Sequence, residues 1–154
     1  MTLKTPFVRS ALAVVAAGAL LFAGASGAQA ATLSLVGTAS VTPSSGLVDD
    51  QTVAVSASGF TDGGSGAIRA AVCDEDAWVN NAEPRCYIAA GYFAASSAGA
   101  TGFSGTLKVK ETFSGSHAGT PYTVDCAVDN CAVVFFRHDP ASSTYSYNLQ
   151  SIDF

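Results

Sequence analysis

Apolar and polar residues alternate along this chain in short bursts. In Thr52-Val53-Ala54-Val55-Ser56-Ala57 the larger apolar residues fall on every second position, the period of a strand with one face on a core. Comparable runs cover residues 33–41, 68–73, 87–95, 103–109, 122–126 and 145–154. Clusters of Gly, Ser, Asp and Pro punctuate them. Thr42-Pro43-Ser44-Ser45-Gly46 ends the first run, residues 62–66 form a glycine-rich turn, and residues 74–85 form a polar excursion. Residues 132–136 are apolar without a break before Arg137, so this strand is expected to lie centrally. Few windows hold good helix formers, and no amphipathic helix is visible. Seven or eight strands at this spacing predict an all-β fold of the immunoglobulin-like sandwich type.

The start of the chain follows a different pattern. Lys4 and Arg9 precede a nearly continuous apolar stretch over residues 11–22, and Ala28-Gln29-Ala30 supplies the small residues a signal peptidase requires. The stretch falls short of the roughly 20 residues that span a bilayer, which disfavours a retained membrane anchor. A secretory signal peptide is therefore expected over residues 1–30, leaving residues 31–154 as one exported domain. No later apolar stretch approaches membrane length, so no membrane association is expected after cleavage.

Cleavage would remove two of seven basic residues and none of the twelve acids, leaving five against twelve and a net charge of −7. Such a surface repels phosphate backbones, so the protein itself is not expected to bind nucleic acid. A secreted, extracellular monomer is expected.

All four cysteines, Cys73, Cys86, Cys126 and Cys131, lie in the exported part. An even count in an oxidising compartment indicates two disulfides, with three possible connectivities. Local pairing, Cys73 with Cys86 and Cys126 with Cys131, is the economical one, and its loops would contribute about 3 and about 2 kcal/mol. A four-cysteine zinc site would require two closely spaced pairs, whereas twelve residues separate Cys73 from Cys86. No metal is expected.

Signals for catalysis are weak. His117 and His138 are the only histidines, and no G-x-S-x-G elbow accompanies them. Asp74-Glu75-Asp76 reads as a solvated loop, since its spacing does not match a calcium loop. Gly63-Gly64-Ser65-Gly66 lacks the Gly-Lys-Ser/Thr ending of a phosphate cradle and reads as a turn. Bridged cysteines cannot act as nucleophiles. The domain is read as a binding protein and not an enzyme. Aromatic residues do gather near the cysteines: Trp78, Tyr87, Tyr92 and Phe93 around the first pair, Phe135 and Phe136 after the second. A disulfide-braced loop beside a strand face makes a rigid wall for an apolar ligand.

These residues resemble a known family. Ala39-Ser40-Val41-Thr42-Pro43-Ser44-Ser45-Gly46-Leu47, followed by Val53-Ala54-Val55, is similar to the opening of the neocarzinostatin apoproteins. Thr123-Val124-Asp125-Cys126 with Cys131 resembles that family's second bridge, Cys73 and Cys86 stand at its hairpin disulfide, and Leu107-Lys108-Val109 with Thr112-Phe113 falls into register. The resemblance implies a seven-stranded immunoglobulin-like Greek-key β-sandwich with two disulfide-braced ribbons enclosing a cleft. It also implies a non-covalently held enediyne chromophore as ligand, whose release damages DNA and gives an antibacterial or cytotoxic role.

Carried across by position, the ligand-binding residues are Trp78, Tyr92, His117, Ala132, Val134 and Phe136. His117 stands in the loop Ser114–Gly119, shorter than the family's, and Phe136, where the family has a small Ser, would partly fill the cleft. The leading expectation is a carrier for an apolar aromatic small molecule. The alternative is an immunoglobulin-like extracellular interaction module of an actinobacterium, without a small-molecule ligand. An open cleft of about 300 to 1,000 Å³ favours the first. A cleft plugged by Phe136 favours the second.

Overall fold

The apolar run before Arg137 becomes the middle strand of the larger of two facing sheets. The computed structural model describes residues 32–81, 84–139, 142 and 144–154. The expected leader, residues 1–30, lies outside them. Within the described residues the order is β1 (Thr32–Leu35), β2 (Thr38–Thr42), β3 (Thr52–Ser58), β4 (Ala67–Asp74), α1 (Glu75–Asn81), β5 (Cys86–Tyr87) and β6 (Phe93–Ala98). There follow β7 (Phe103–Lys108), β8 (Thr112–His117), β9 (Thr120–Asp125), β10 (Cys131–Asp139) and β11 (Thr144–Ile152).

The larger sheet runs β1-β11-β10-β4-β5, and β6 pairs with the stretch of β4 that β5 leaves open. The second sheet is β2-β3-β7, and β8-β9 form a separate ribbon. The two larger sheets make an immunoglobulin-like β-sandwich. Period-two geometry decides which residues meet between them. Val133 and Phe135 of β10, with Ile68, Ala70 and Val72 of β4, join Val53, Val55 and Leu107 in one buried cluster. Ala132, Val134 and Phe136 point the other way, with Ala71 and Cys73 beside them in a second cluster. Residues 131–137 are buried throughout, so β10 is covered on both faces.

The local differences from expectation have physical causes. Residues 33–41 form two strands because Gly37 breaks the run at φ +64°, a left-handed conformation, and an added Cβ would run into the Ser58 carbonyl. β1 then pairs parallel to β11 in one sheet while β2 pairs with β3 in the other. Residues 87–95 likewise split, because the chain turns out between β5 and β6. The loop expected at residues 114–119 is instead a ribbon, closed by Ala118 and Gly119, both at positive φ as a two-residue hairpin turn requires.

The polar excursion holds the helix α1, which replaces the solvated loop expected at Asp74-Glu75-Asp76. Asp74 caps it by accepting from the Ala77 N–H at 2.9 Å, and Glu75 and Asp76 complement the positive pole of its first turn. Asn130 donates to Asp76 at 3.0 Å, and the Ser151 hydroxyl donates to Glu75 at 2.9 Å. Both disulfides follow the local pairing, Cys73–Cys86 and Cys126–Cys131. The first closes the excursion across directly paired positions of β4 and β5.

At the end of β10 the Arg137 side chain turns inward beneath the glycine-rich connection of residues 63–66, where Gly64 leaves no room for a Cβ against it. Its guanidinium binds the Asp62 carboxylate and the Ala100 carbonyl. Burial pushes the Asp62 carboxyl up, but the Ser146 hydroxyl and the Arg137 charge outweigh it, so its pKa lies below the ordinary value. A depressed carboxylate contributes stability above its unfolded pKa and loses it as pH falls through the folded one. Asp62→Ala, which leaves a buried guanidinium unpaired, is expected to cost about 3 kcal/mol at pH 7. Urea denaturation should show that gap to wild type narrowing as acid protonates Asp62. A gap unchanged down to about pH 2 would contradict the pairing.

Candidate functional site

The outer face of β10 is buried by packed side chains, with hollows beside them. Trp78 of α1 lies over it, 1% exposed, with its ring 5.0 Å from Phe136, 5.2 Å from Tyr145 and 6.2 Å from Tyr147. Beyond this aromatic cap the face opens into two adjoining hollows of about 470 and about 350 Å³. Both share Phe136 and Arg69 as floor and Ile88 as rim. The larger is walled on one side by Cys86, Tyr87, Ile88 and Ala89, and on the other by Ser114, Gly115, Ser116 and Tyr122 of the ribbon. The smaller extends across Ala67, Ala71, Phe93 and Ala95.

Covalent and aromatic contacts hold these walls. The Cys73–Cys86 bridge fixes the first wall to β4, and Cys126–Cys131 ties the foot of the ribbon to the start of β10. Phe113 and Val124 anchor the ribbon in the sandwich core. The walls also touch each other: the Tyr87 and Phe113 rings lie 5.7 Å apart, and the Arg85 guanidinium sits 5.8 Å from the Tyr122 ring centre. Arg85 in turn pairs with Asp74 at 3.6 Å. Burial raises the pKa of the Tyr122 hydroxyl, against the Arg85 charge and the Cys86 backbone, and raises that of Tyr145 against the Arg69 charge. Both phenols therefore stay protonated at neutral pH and can donate hydrogen bonds.

The six residues expected to bind ligand are dispersed. Phe136 does floor both hollows. Trp78, Ala132 and Val134 lie in the buried cluster next to it and line neither hollow. Tyr92 is held away: its hydroxyl donates to Asp50 at 2.6 Å, and its ring packs edge-on to Tyr87 at 4.8 Å. Lys110, 2.5 Å from Asp49 and 3.2 Å from Asp50, completes that network. His117 ends β8 beside a separate hollow of about 140 Å³, with Arg85 and Pro121, behind Tyr122. Conversely, Arg69, Ile88, Tyr122 and Tyr145 line the larger hollow without having been singled out. Arg69 carried a signal, being the one charge inside the apolar run 68–73. Among the described residues no group of three or more His, Cys, Asp and Glu gathers as for a metal.

A family model described as Neocarzinostatin family matches residues 39–146. Among solved structures, macromomycin is similar at 27% identity and a TM-score of 0.57, covering 77% of this chain and 98% of its own. A solution structure of apokedarcidin is similar at 25% identity and a TM-score of 0.51, with the same coverage. No curated protein sequence matches the chain.

Because Trp78 is packing and not lining, Trp78→Ala is expected to destabilise the fold by about 3 to 5 kcal/mol in chemical denaturation followed by far-UV circular dichroism. A cost below about 1 kcal/mol would show that its ring stands in the open cleft instead.

Proposed function

Since this chain belongs to the neocarzinostatin family, we propose that it is a secreted, non-catalytic apoprotein that holds an apolar aromatic small molecule over the outer face of β10. The family's apoproteins carry enediyne chromophores without covalent attachment, and a chromophore of that class is the ligand this reading assigns. The observation that carries the reading is the open hollow of about 470 Å³ between the two braced walls, continuous with one of about 350 Å³. Each lies in the range of small-molecule sites, which run about 300 to 1,000 Å³.

The work of such a protein is equilibrium binding and exclusion of solvent. Phe136 offers a flat apolar floor, Ile88 and Phe93 an apolar rim, and the protonated phenols of Tyr122 and Tyr145 supply donors for orientation. Any DNA damage would be the chemistry of the released ligand, because the exported domain's charge of −7 opposes contact with phosphate. The interaction-module reading draws on one observation: Phe136 is packed, 8% exposed, against Trp78 and Tyr145. That packing raises the floor without closing the space above it, and carriage of a small molecule is the better account.

The test is calorimetric titration with naphthamide, a neutral flat aromatic, alongside Trp78 emission, which reports on the adjoining Phe136. Saturable binding with a Kd of about 10 μM or tighter is expected. Ser116→Phe, which fills the larger hollow from an exposed ribbon position, should weaken it at least tenfold. No saturable signal, or equal affinity in the filled variant, would refute the site.

A further inference from the structure

Among the described residues Arg69 is the only charged one lining either hollow, and it lines both. It sits on β4 directly across from Phe136 of β10 on one side and Ala95 of β6 on the other, so its Cα neighbours in the sheet are apolar. The other described arginines each have a carboxylate, Arg85 with Asp74 and Arg137 with Asp62, and Lys110 has two. No carboxylate among the described residues pairs with Arg69, in a chain where acids outnumber bases twelve to seven.

From this arrangement we infer that the cavity selects a ligand carrying an anionic group, a carboxylate or a phenolate on an aromatic body, and that Arg69 binds that group. The inference rests on the proposed ligand-binding role and adds the charge of the ligand to it. A ligand seated on Phe136 would strip water from the guanidinium beside it. Taking an arginine out of water is costly unless an anion replaces the lost hydration. A planar carboxylate does so with two parallel N–H···O bonds, while the guanidinium plane can also stack on the ligand's ring. A cationic ligand would meet repulsion from Arg69, since no acid among the described residues lines either hollow to offset it. Tyr122, Tyr145 and Ser116 line the same hollow with hydroxyl groups that can donate, which favours the same sign of ligand.

Three naphthalenes of one shape separate the possibilities: naphthoate, neutral naphthamide and cationic naphthylmethylamine, each titrated calorimetrically into the full exported domain at pH 7. Naphthoate should bind at least tenfold more tightly than naphthamide, and naphthylmethylamine most weakly. Arg69→Met, an exposed position where folding is checked by near-UV circular dichroism, should bring naphthoate down to the level of naphthamide. About 0.5 M NaCl should shrink the naphthoate advantage in wild type, because salt screens the charge and leaves the apolar contacts in place. Equal affinity of naphthoate and naphthamide, both saturable, would overturn the charge assignment and leave the carrier reading intact. No binding by any of the three would overturn both.

Discussion

Strand β10 is apolar on both faces, and water must be kept from each of them by something other than the strand's own neighbours in the sheet. The inner face, Val133 and Phe135, is covered by the three-stranded sheet, and this contact builds the sandwich core. The outer face, Ala132, Val134 and Phe136, has no second sheet over it among the described residues. The chain covers part of it by folding the excursion after β4 into a short helix that lays Trp78 on it. The remainder, over Phe136, is left as the floor of a hollow between two walls. Both the helix and the cavity thus follow from one need, to shield a strand that is buried twice.

The two disulfides act on that same region. Cys73–Cys86 closes the excursion that contains the helix and carries one cavity wall, while Cys126–Cys131 joins the other wall's ribbon to β10. A domain of this size has a limited core, and the bridges restrict its unfolded chain where the fold is least supported by sheet pairing. In the proposed role, walls tethered in this way would spare a ligand the cost of ordering them. In macromomycin and apokedarcidin the chain path is similar at about a quarter identity, so the scaffold tolerates wide change in the residues that line its surfaces.

Much of the sandwich was legible in the sequence, because strand burial leaves a period of two. The alternation at residues 52–57 became β3 with Val53, Val55 and Ala57 inward, and the unbroken run at 132–136 became the central strand. The cysteine pairs read correctly as local. Helix α1 was not legible: its Trp, Val and Asn residues are middling helix formers, and its stability comes from the Asp74 cap, the bridge and burial of Trp78. Periodicity also told which face a residue occupies but not what covers that face. Ala132, Val134 and Phe136 share one cluster as alternation places them, yet only contacts remote in sequence decide that the first two are wholly buried while Phe136, packed against Trp78, still borders the hollows. Arg69 and Tyr122 join the site for the same reason, through pairings between β4, β10 and the ribbon that no local pattern encodes.

The central claim is that the paired hollows bordered by Phe136 are where this protein binds its ligand. Backbone amide shifts in ¹⁵N-labelled protein titrated with naphthamide test it most directly. The account predicts that the perturbed amides gather on Ile88, Ala89, Gly115, Ser116, Tyr122 and Phe136, with the three-stranded sheet unmoved. Perturbations centred instead on β2, β3 and β7, or on the hairpin tip at His117 to Gly119, would contradict it.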